Sequence, residues 1–329
     1  MYPVNNLQSS LAASSSQASV VALRCHNCIV VVSMSPPSKD QMCNLTLSNA
    51  ISANDEVKDE NQGPKDTKED GSGLIPITHR GPVSTITTLD SSSNGSRGIH
   101  KRSRIVHLLQ ERSGLSLFMT GFASDTQYLA RYAAGHVSQE EHIYAGTHIN
   151  ARDIMRDALA PRLQRATLSG GSRPFGVQAL AISPANQNEN DKSRSVSSMI
   201  MTTLDPSGNL RYWHGMGACI GKDSNLIKKH LHQILEKTGV TLESQPETWR
   251  DGLDICIKSL LETAKESQNL KVTPSNEIIS ELDAVVIFDR HDHQKSRKYA
   301  CARIDQKILI ESFDNCYASM TEKNVKVKS

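Results

Sequence analysis

The chain has few aromatic residues, no marked excess of one charge and no long apolar run. Phe, Trp and Tyr make up 4% of the 329 residues and hydrophobic residues 37%, which indicates that part of the chain lies outside a packed core. The net charge of +2 gives no argument for nucleic acid or a membrane as a partner. The longest apolar segment, around Ile29–Val32, is too short to span a bilayer, and no basic stretch with a long apolar run opens the chain. We therefore predict a soluble, intracellular protein.

The cysteines do not follow the spacing of a disulfide framework. The seven are scattered, at positions 25, 28, 43, 219, 256, 301 and 316. This pattern favours free thiols in a reducing compartment.

Two short clusters have residue types that can bind metals. Cys25 and Cys28 have a C-x-x-C spacing, but zinc needs about four ligands and no second pair of Cys or His lies at suitable spacing downstream. His291 and His293 flank an aspartate, but alternate residues of a turn diverge. We interpret the first cluster as a turn between two small thiols and the second as a solvated loop, and we predict no metal and no cofactor.

Four segments have the composition of unpacked chain. Residues 1–17 are rich in Ser, Asn, Ala and Gln and are predicted to be a flexible lead. Residues 35–80 carry Pro, Gly and many charges, and residues 183–198 are polar, so both are predicted to be disordered insertions. Residues 319–329 form a basic tail. The ordered remainder is predicted to be one domain over residues 18–318.

Three motifs follow one another between residues 172 and 224. They read Arg173-Pro-Phe-Gly-Val177, Asp205-Pro-Ser-Gly208 and Ala218-Cys-Ile-Gly-Lys222. The first opens an apolar strand and the second is a tight turn before a returning strand. A helix follows the third motif, with Asp223 as its predicted N-cap and apolar residues at helical spacing.

The rest of the chain alternates strands with helices. Further strands are predicted from β-branched and apolar runs at Ser19–Cys25, Cys28–Met34, Ile105–Leu109, Leu115–Thr120, Leu282–Phe288 and Tyr299–Ile304. Further helices are predicted after Asp125, from Asn150 to about Ala166, after a capping box at Ser244 and Glu247, and over Asp305–Phe313. Pro161 predicts a kink or break near residues 157–160.

The three motifs, in their order and spacing, resemble the alpha-type subunits of the 20S proteasome. Gly121-Phe-Ala-Ser-Asp125 resembles the turn that enters the first long helix of that family. The resemblance extends roughly from Ser19 to Phe313. It implies an α+β fold, a four-layer αββα sandwich of the N-terminal nucleophile hydrolase type, and the order of strands and helix pairs suits such layers.

The same resemblance indicates that the peptidase chemistry is missing. The catalytic beta-type relatives use an N-terminal Thr, freed by propeptide removal, with an Asp at the end of the second strand. The corresponding positions here are Ala18 and Met34. A methyl group has no proton to lose and a thioether is no carboxylate. The resemblance therefore implies a noncatalytic subunit, without catalytic residues of its own, in a complex whose beta subunits carry the catalysis.

The implied role is structural. The chain is expected to occupy one position in a hetero-heptameric outer ring and to contact other alpha subunits, beta subunits and the regulatory particle. It would contribute to substrate entry and regulator docking in ubiquitin-dependent protein degradation, in cytoplasm and nucleus. Arg104 matches the basic residue of the pockets that accept the C-terminal tails of activators. The Ser-Pro-Glu-Gly-Arg type segment that shapes the pore gate of the family is absent from residues 1–17.

Two other functions remain open. An active N-terminal nucleophile hydrolase could use Ser19 or Cys25 once processing exposes it, and terminal sequencing would reveal that processing. A diverged proteasome-like interaction protein outside the ring is the other alternative, which the missing gate segment, the acidic insertion and Pro161 keep open. Co-sedimentation with the core particle distinguishes it from a ring subunit.

Overall fold

The computed structural model describes residues 3–15, 18–34, 73–77, 106–110, 114–144, 149–168, 173–184, 199–242, 244–268, 282–288 and 301–326. These residues form two antiparallel sheets and a set of helices, an α+β arrangement. None of the helices in these ranges is both long enough and apolar enough to cross a membrane.

The first sheet has six strands. In chain order they are β1 (Ser19–Cys25), β2 (Cys28–Met34), β3 (Leu74–Pro76), β9 (Gly217–Gly221), β10 (Leu282–Phe288) and β11 (Cys301–Ile304). Their order across the sheet is β3-β11-β10-β2-β1-β9. The predicted hairpin is confirmed, since β1 pairs with β2 and Cys25 lies opposite Cys28 across a two-residue turn. Both strands are buried along their length because they lie inside the sheet.

The second sheet has five strands in sequential order. They are β4 (Val106–Gln110), β5 (Leu115–Gly121), β6 (Val177–Pro184), β7 (Met199–Leu204) and β8 (Leu210–Trp213). Each strand pairs antiparallel with the next. Two helices are inserted between β5 and β6.

Within the described residues, six helical elements accompany the sheets. They are α1 (Pro3–Ser15), α2 (Ala123–Ile143), α3, α4 (Ser224–Thr238), α5 (Trp249–Gln268) and α6 (Gln306–Lys326). Helix α3 has three consecutive parts, α-helical Ala151–Asp153, π-helical Ile154–Leu159 and α-helical Ala160–Leu168.

The buried apolar residues form three clusters. One includes residues of both sheets, and each of the other two joins one sheet to its helices. They are represented by Val20, Phe118 and Leu180 between the sheets, by Leu23, Leu231, Leu260 and Phe313 between the first sheet and α4, α5 and α6, and by Leu117, Leu129 and Ile154 between the second sheet and α2 and α3.

The predicted helix starts have different outcomes. The cap at Asn150 is confirmed, because its Oδ1 accepts hydrogen bonds from the amides of Arg152 and Asp153 at 2.9 and 3.0 Å. Asp223 precedes α4 as expected but makes no side-chain cap bond, since its φ of 54° is left-handed. The capping box before α5 was predicted at Ser244 and Glu247 and is wrong. Thr248 and Asp251 cap the helix instead, with Thr248 Oγ1 accepting from the Asp251 amide at 3.2 Å.

Pro161 distorts α3 without ending it. The Ala160 amide donates to the Met155 carbonyl five residues back, a π-type bond. Proline lacks an amide hydrogen and its ring crowds the carbonyl four residues earlier. A wider turn just before the proline relieves that crowding, so the predicted irregularity takes the form of a π-helical segment over Ile154–Leu159.

Three segments that the composition assigned to flexible or irregular chain contain regular structure. Residues 3–15 form a helix that packs against β5, β6 and β9, and its Ser10 and Ser14 are buried despite their polarity. Leu74–Pro76 inside the predicted insertion pairs with β11. Helix α6 continues past Phe313 to Lys326, since Cys316 and Met320 prolong its buried stripe. Residues 35–72, 78–80 and 185–198 and the candidate ligands His291 and His293 lie outside the described residues.

Candidate functional site at the N-terminal helix

Helix α1 lies across one end of the two sheets, where β1 begins. It contacts β5, β6, β9 and the last part of α3. Ser14 is fully buried, and Ser10 donates a hydrogen bond to the Pro174 carbonyl at 3.4 Å. Two of the three sequence motifs, together with the Gly121–Asp125 turn, meet beneath this helix.

Asp125 joins the start of α2 to the Arg173–Val177 motif. Its carboxylate accepts two hydrogen bonds from Arg173, at 2.6 and 2.8 Å, and one from the Gly176 amide at 3.0 Å. The Asp125 side chain is 5% exposed, whereas Arg173 is 62% exposed. Burial raises the pKa of Asp125, but the bonds from Arg173 and Gly176 outweigh it, so the pKa lies below the ordinary value of 3.8. The carboxylate is therefore charged at neutral pH and fixes the loop before β6.

Two glycines allow the same two segments to approach closely. Gly121 has a φ of +128°, and a Cβ there would lie 1.9 Å from the Gly176 carbonyl oxygen. A Cβ on Gly176 would lie 2.7 Å from the ring of Phe122. The Phe122 amide also donates to the Gly176 carbonyl at 3.1 Å, so the backbones of the two segments are in direct contact. Glycine is required where a side chain would occupy that space.

Gln178 connects α1 to the third motif. Its amide nitrogen donates to Ser14 Oγ at 3.3 Å, and its carbonyl oxygen accepts from the Gly221 amide at 2.8 Å. Gly221, with a φ of +88°, lies so close to the start of β1 that a Cβ would be 2.0 Å from the Ala18 carbonyl oxygen. The last turn of α1, the start of β1 and the end of β9 are thus held together. We call this region, with the Asp125 and Arg173 pair and Gln178, the junction.

The Asp205–Gly208 motif is a turn that packs against α3, apart from this junction. Asp205 Oδ1 accepts from the amides of Ser207 and Asn209 at 2.9 and 3.0 Å. Gln164 donates to the Gly208 carbonyl at 3.2 Å and Thr167 to the Pro206 carbonyl at 3.3 Å. This motif therefore serves the packing of α3 on the second sheet.

The residues considered for catalysis occupy different places. Ala18 is buried beside Gly221 and Lys222, and Met34 lies opposite Ser19 on β2. Ser19 Oγ donates to the Lys222 carbonyl at 2.9 Å, so its hydroxyl is engaged by backbone. Cys25 is fully buried at the far end of β1, and its hydrogen bond with Cys28 and its burial raise the pKa of the thiol. A raised pKa disfavours the thiolate that a nucleophile needs.

Some residues of the junction could not be found from the sequence. Gln178, Ser10 and Ser14 gave no signal, because their partners lie far away in the chain. The pairing of Asp125 with Arg173 was also missed, although both lie in recognised motifs. Arg104, the candidate for an activator-tail pocket, lies outside the described residues. Among the residues that the structure describes, no group of three or more His, Cys, Asp or Glu is arranged to hold a metal ion.

Asp125→Asn is expected to lower the free energy of unfolding by about 2 kcal/mol at pH 7. The neutral side chain accepts the hydrogen bonds of Arg173 and of the buried Gly176 amide more weakly than the carboxylate does. A carboxylate with a lowered folded pKa stabilises the fold above its unfolded pKa and loses that contribution as the pH falls through the folded value. The wild-type advantage should therefore be constant from pH 7 to about 5 and shrink below 3.8. Urea unfolding at several pH values measures it.

Asp157→Asn provides the matched control. Asp157 also has a lowered pKa and an arginine partner, Arg156, at 2.7 Å, but both side chains are about half exposed. Exposed pairs contribute about 0 to 1 kcal/mol. Equal losses in the two variants, or an Asp125→Asn difference that persists unchanged to pH 2, would contradict the assignment.

Comparison with known proteins agrees with the motifs. A family model described as Proteasome subunit matches residues 84–272, more than half of the 329 residues. The matched range contains the Asp125 and Arg173 pair, the Asp205 turn and Gly221. A search of curated proteins gave no match to the chain. With its two antiparallel sheets and accompanying helices, the chain belongs to the proteasome subunit family, which implies the N-terminal nucleophile hydrolase fold.

Proposed function

We propose that the chain is a noncatalytic alpha-type subunit of a 20S proteasome core. The observation that carries this proposal is the position of α1, which precedes Ala18 in the chain and packs against β5, β6 and β9, the last of which pairs with β1 at Ser19. In the catalytic relatives that strand begins with a processed nucleophile, which needs a free terminus and access to substrate. Here the corresponding residue is a buried alanine whose carbonyl accepts a bond from the Lys222 amide at 3.3 Å.

The proposal extends to architecture and partners. The three apolar clusters support an αββα sandwich of four layers, with α2 and α3 on one outer face and α4, α5 and α6 on the other. The chain would fill one position of a hetero-heptameric outer ring and contact other alpha subunits, beta subunits and the regulatory particle. In that position it would contribute to substrate entry and regulator docking in ubiquitin-dependent degradation, in cytoplasm and nucleus.

The native size of the tagged chain in a lysate of its own cells tests this proposal. We expect the chain to migrate at the size of the core particle, and mass spectrometry of those fractions should identify other alpha and beta subunits. Migration as a monomer or small oligomer without them would overturn the proposal. That result would favour a proteasome-like protein that acts outside the ring.

A peptidase assay tests the noncatalytic part separately. The purified full-length chain should hydrolyse no fluorogenic peptide, because Ala18 and Met34 supply neither nucleophile nor acid. Sequencing of its N-terminus should not show a chain that begins at Ser19. Hydrolysis that is lost in Ser19→Ala would instead establish an active hydrolase.

A further inference from the structure

Aromatic and arginine side chains lie on the outer sides of α2 and α3, where Arg162 of α3 contacts Tyr128 and Tyr132 of α2. We name these side chains the Arg–Tyr surface. Its residues are Phe122, Tyr128, Arg131 and Tyr132 at α2, and Arg162, Arg165 and Leu168 on α3. The three aromatic residues are 39% to 45% exposed and Leu168 is 83% exposed. An exposed apolar patch of this kind on a folded domain indicates a contact with another molecule.

Arginines cover the aromatic rings of this surface. The guanidinium of Arg162 lies over the rings of both Tyr128 and Tyr132, 5.3 and 5.4 Å from their centroids. Tyr128 also stacks on Phe175 at 5.7 Å, and Arg173 lies over Phe122 at 5.7 Å. The guanidinium groups therefore lie on the ring faces and leave little of those faces open. Tyrosine and arginine are the residues that most often carry binding energy at protein interfaces.

The segments of α2 and α3 that carry this surface contain few carboxylates. Asp125 is the one acidic residue among residues 123–135, and it is buried and bonded to Arg173. Residues 160–168 and the segment 169–172 contain no Asp or Glu. In the described part of the chain, no ion pair links Arg131, Arg162 or Arg165 to a carboxylate. These three arginines thus have no ion-pair partner among the described residues.

We propose that the Arg–Tyr surface docks a carboxylate-bearing segment of a neighbouring subunit in the assembly proposed above, on which this inference rests. Charge complementarity identifies the occupant, because arginine forks bind carboxylates with two parallel hydrogen bonds. Exposed tyrosines and Leu168 add apolar contact around those pairs. Single-stranded nucleic acid fits less well, since base stacking needs open aromatic faces and these faces are largely covered.

Charge reversal at two exposed arginines, Arg131 and Arg165, tests the docking. Arg131 and Arg165 are exposed and support no ring, so Arg131→Glu with Arg165→Glu should leave the fold intact. The matched control is Lys237→Glu with Lys307→Glu, an equal charge change at exposed ends of α4 and α6. Lys237 lies near the C-terminus of α4 and Lys307 near the N-terminus of α6, so the two substitutions change the interaction with the helix dipole in opposite directions. Thermal unfolding of each purified chain checks that folding is unchanged.

The readout is the fraction of tagged full-length chain in core-particle-sized fractions. We expect at least about a tenfold loss in the Arg131 and Arg165 variant and none in the control. Retention of that variant in the large fractions, beside identified alpha and beta subunits, overturns the docking proposal while the subunit proposal stands. Failure of the wild-type chain itself to enter these fractions overturns the subunit proposal, and with it the assembly in which the docking takes place.

A binding assay with defined probes tests which kind of ligand the Arg–Tyr surface binds. If the double variant folds poorly, the single variant Arg165→Glu takes its place. Fluorescence anisotropy compares poly-L-glutamate with polyuridylate on the purified full-length chain. Poly-L-glutamate should bind wild type and control alike and the Arg131 and Arg165 variant about tenfold more weakly. Equal binding to all three chains, or a preference for polyuridylate that the charge reversal abolishes, overturns a carboxylate docking site.

Discussion

Gly121→Ala is expected to destabilise the fold by more than about 4 kcal/mol, a large share of the roughly 5 to 15 kcal/mol that holds a domain together. The added Cβ would lie 1.9 Å from the Gly176 carbonyl oxygen, and a φ of +128° is one that L side chains rarely adopt. The clash cannot be relieved by rotating a side chain, because both atoms are tied to backbone. Moving Gly176 would break its bonds with Phe122 and with Asp125.

Gly135→Ala is the control within the same helix–loop region. Gly135 lies in α2, and a Cβ there meets nothing within 4 Å. Alanine in a helix is favoured over glycine by about 0.5 to 1 kcal/mol, so this variant should be slightly more stable than wild type. Urea unfolding of both variants gives the comparison. A Gly121→Ala protein within about 1 kcal/mol of wild type would show that the two segments do not meet as described.

The strands and helix stripes could be predicted because they are local patterns. The β1–β2 hairpin follows from β-branched runs around two polar residues, and the buried stripe of α5 follows from apolar residues at helical spacing. The motif glycines were also visible in the sequence. Their reason was not, because Gly121 is required by a carbonyl that lies 55 residues further along the chain, at Gly176.

The errors at residues 3–15 and at Leu74 have one physical cause, which is that tertiary contacts outweigh local composition. Residues 3–15 look like flexible chain, yet Ser14 finds partners on β5 and β6 and becomes fully buried. Leu74 is buried because β11 offers an open edge to pair with. The junction under α1 is built from such long-range bonds, so its motifs could be found from the sequence but not their assembly.

The role of Arg24, a charged residue inside β1, could not be predicted from the sequence. Arg24 is 6% exposed and donates to three backbone carbonyls, two in the second sheet and one in the loop between β8 and β9. Its Nε bonds Gly215 at 3.0 Å, one terminal nitrogen bonds Trp213 at 2.9 Å, and the other bonds Met199. Burial lowers the pKa of Arg24 to about 10. The planar fork of arginine can reach all three acceptors at once, which ties β1 to the start of β7 and to the end of β8.

Arg24→Met should therefore lower the free energy of unfolding by about 3 kcal/mol, since it keeps the apolar stem but leaves three carbonyls without their donor. Arg24→Lys should recover only part of that loss, because one ammonium cannot span the three carbonyls. Arg211→Met on β8 removes an exposed arginine nearby and should stay within about 0.5 kcal/mol of wild type. Chemical denaturation should rank Arg24→Met as the least stable chain, Arg24→Lys as intermediate and wild type as the most stable. Equal stability of Arg24→Met and Arg211→Met would mean that Arg24 does not connect the sheets, and full recovery in Arg24→Lys would mean that charge alone suffices.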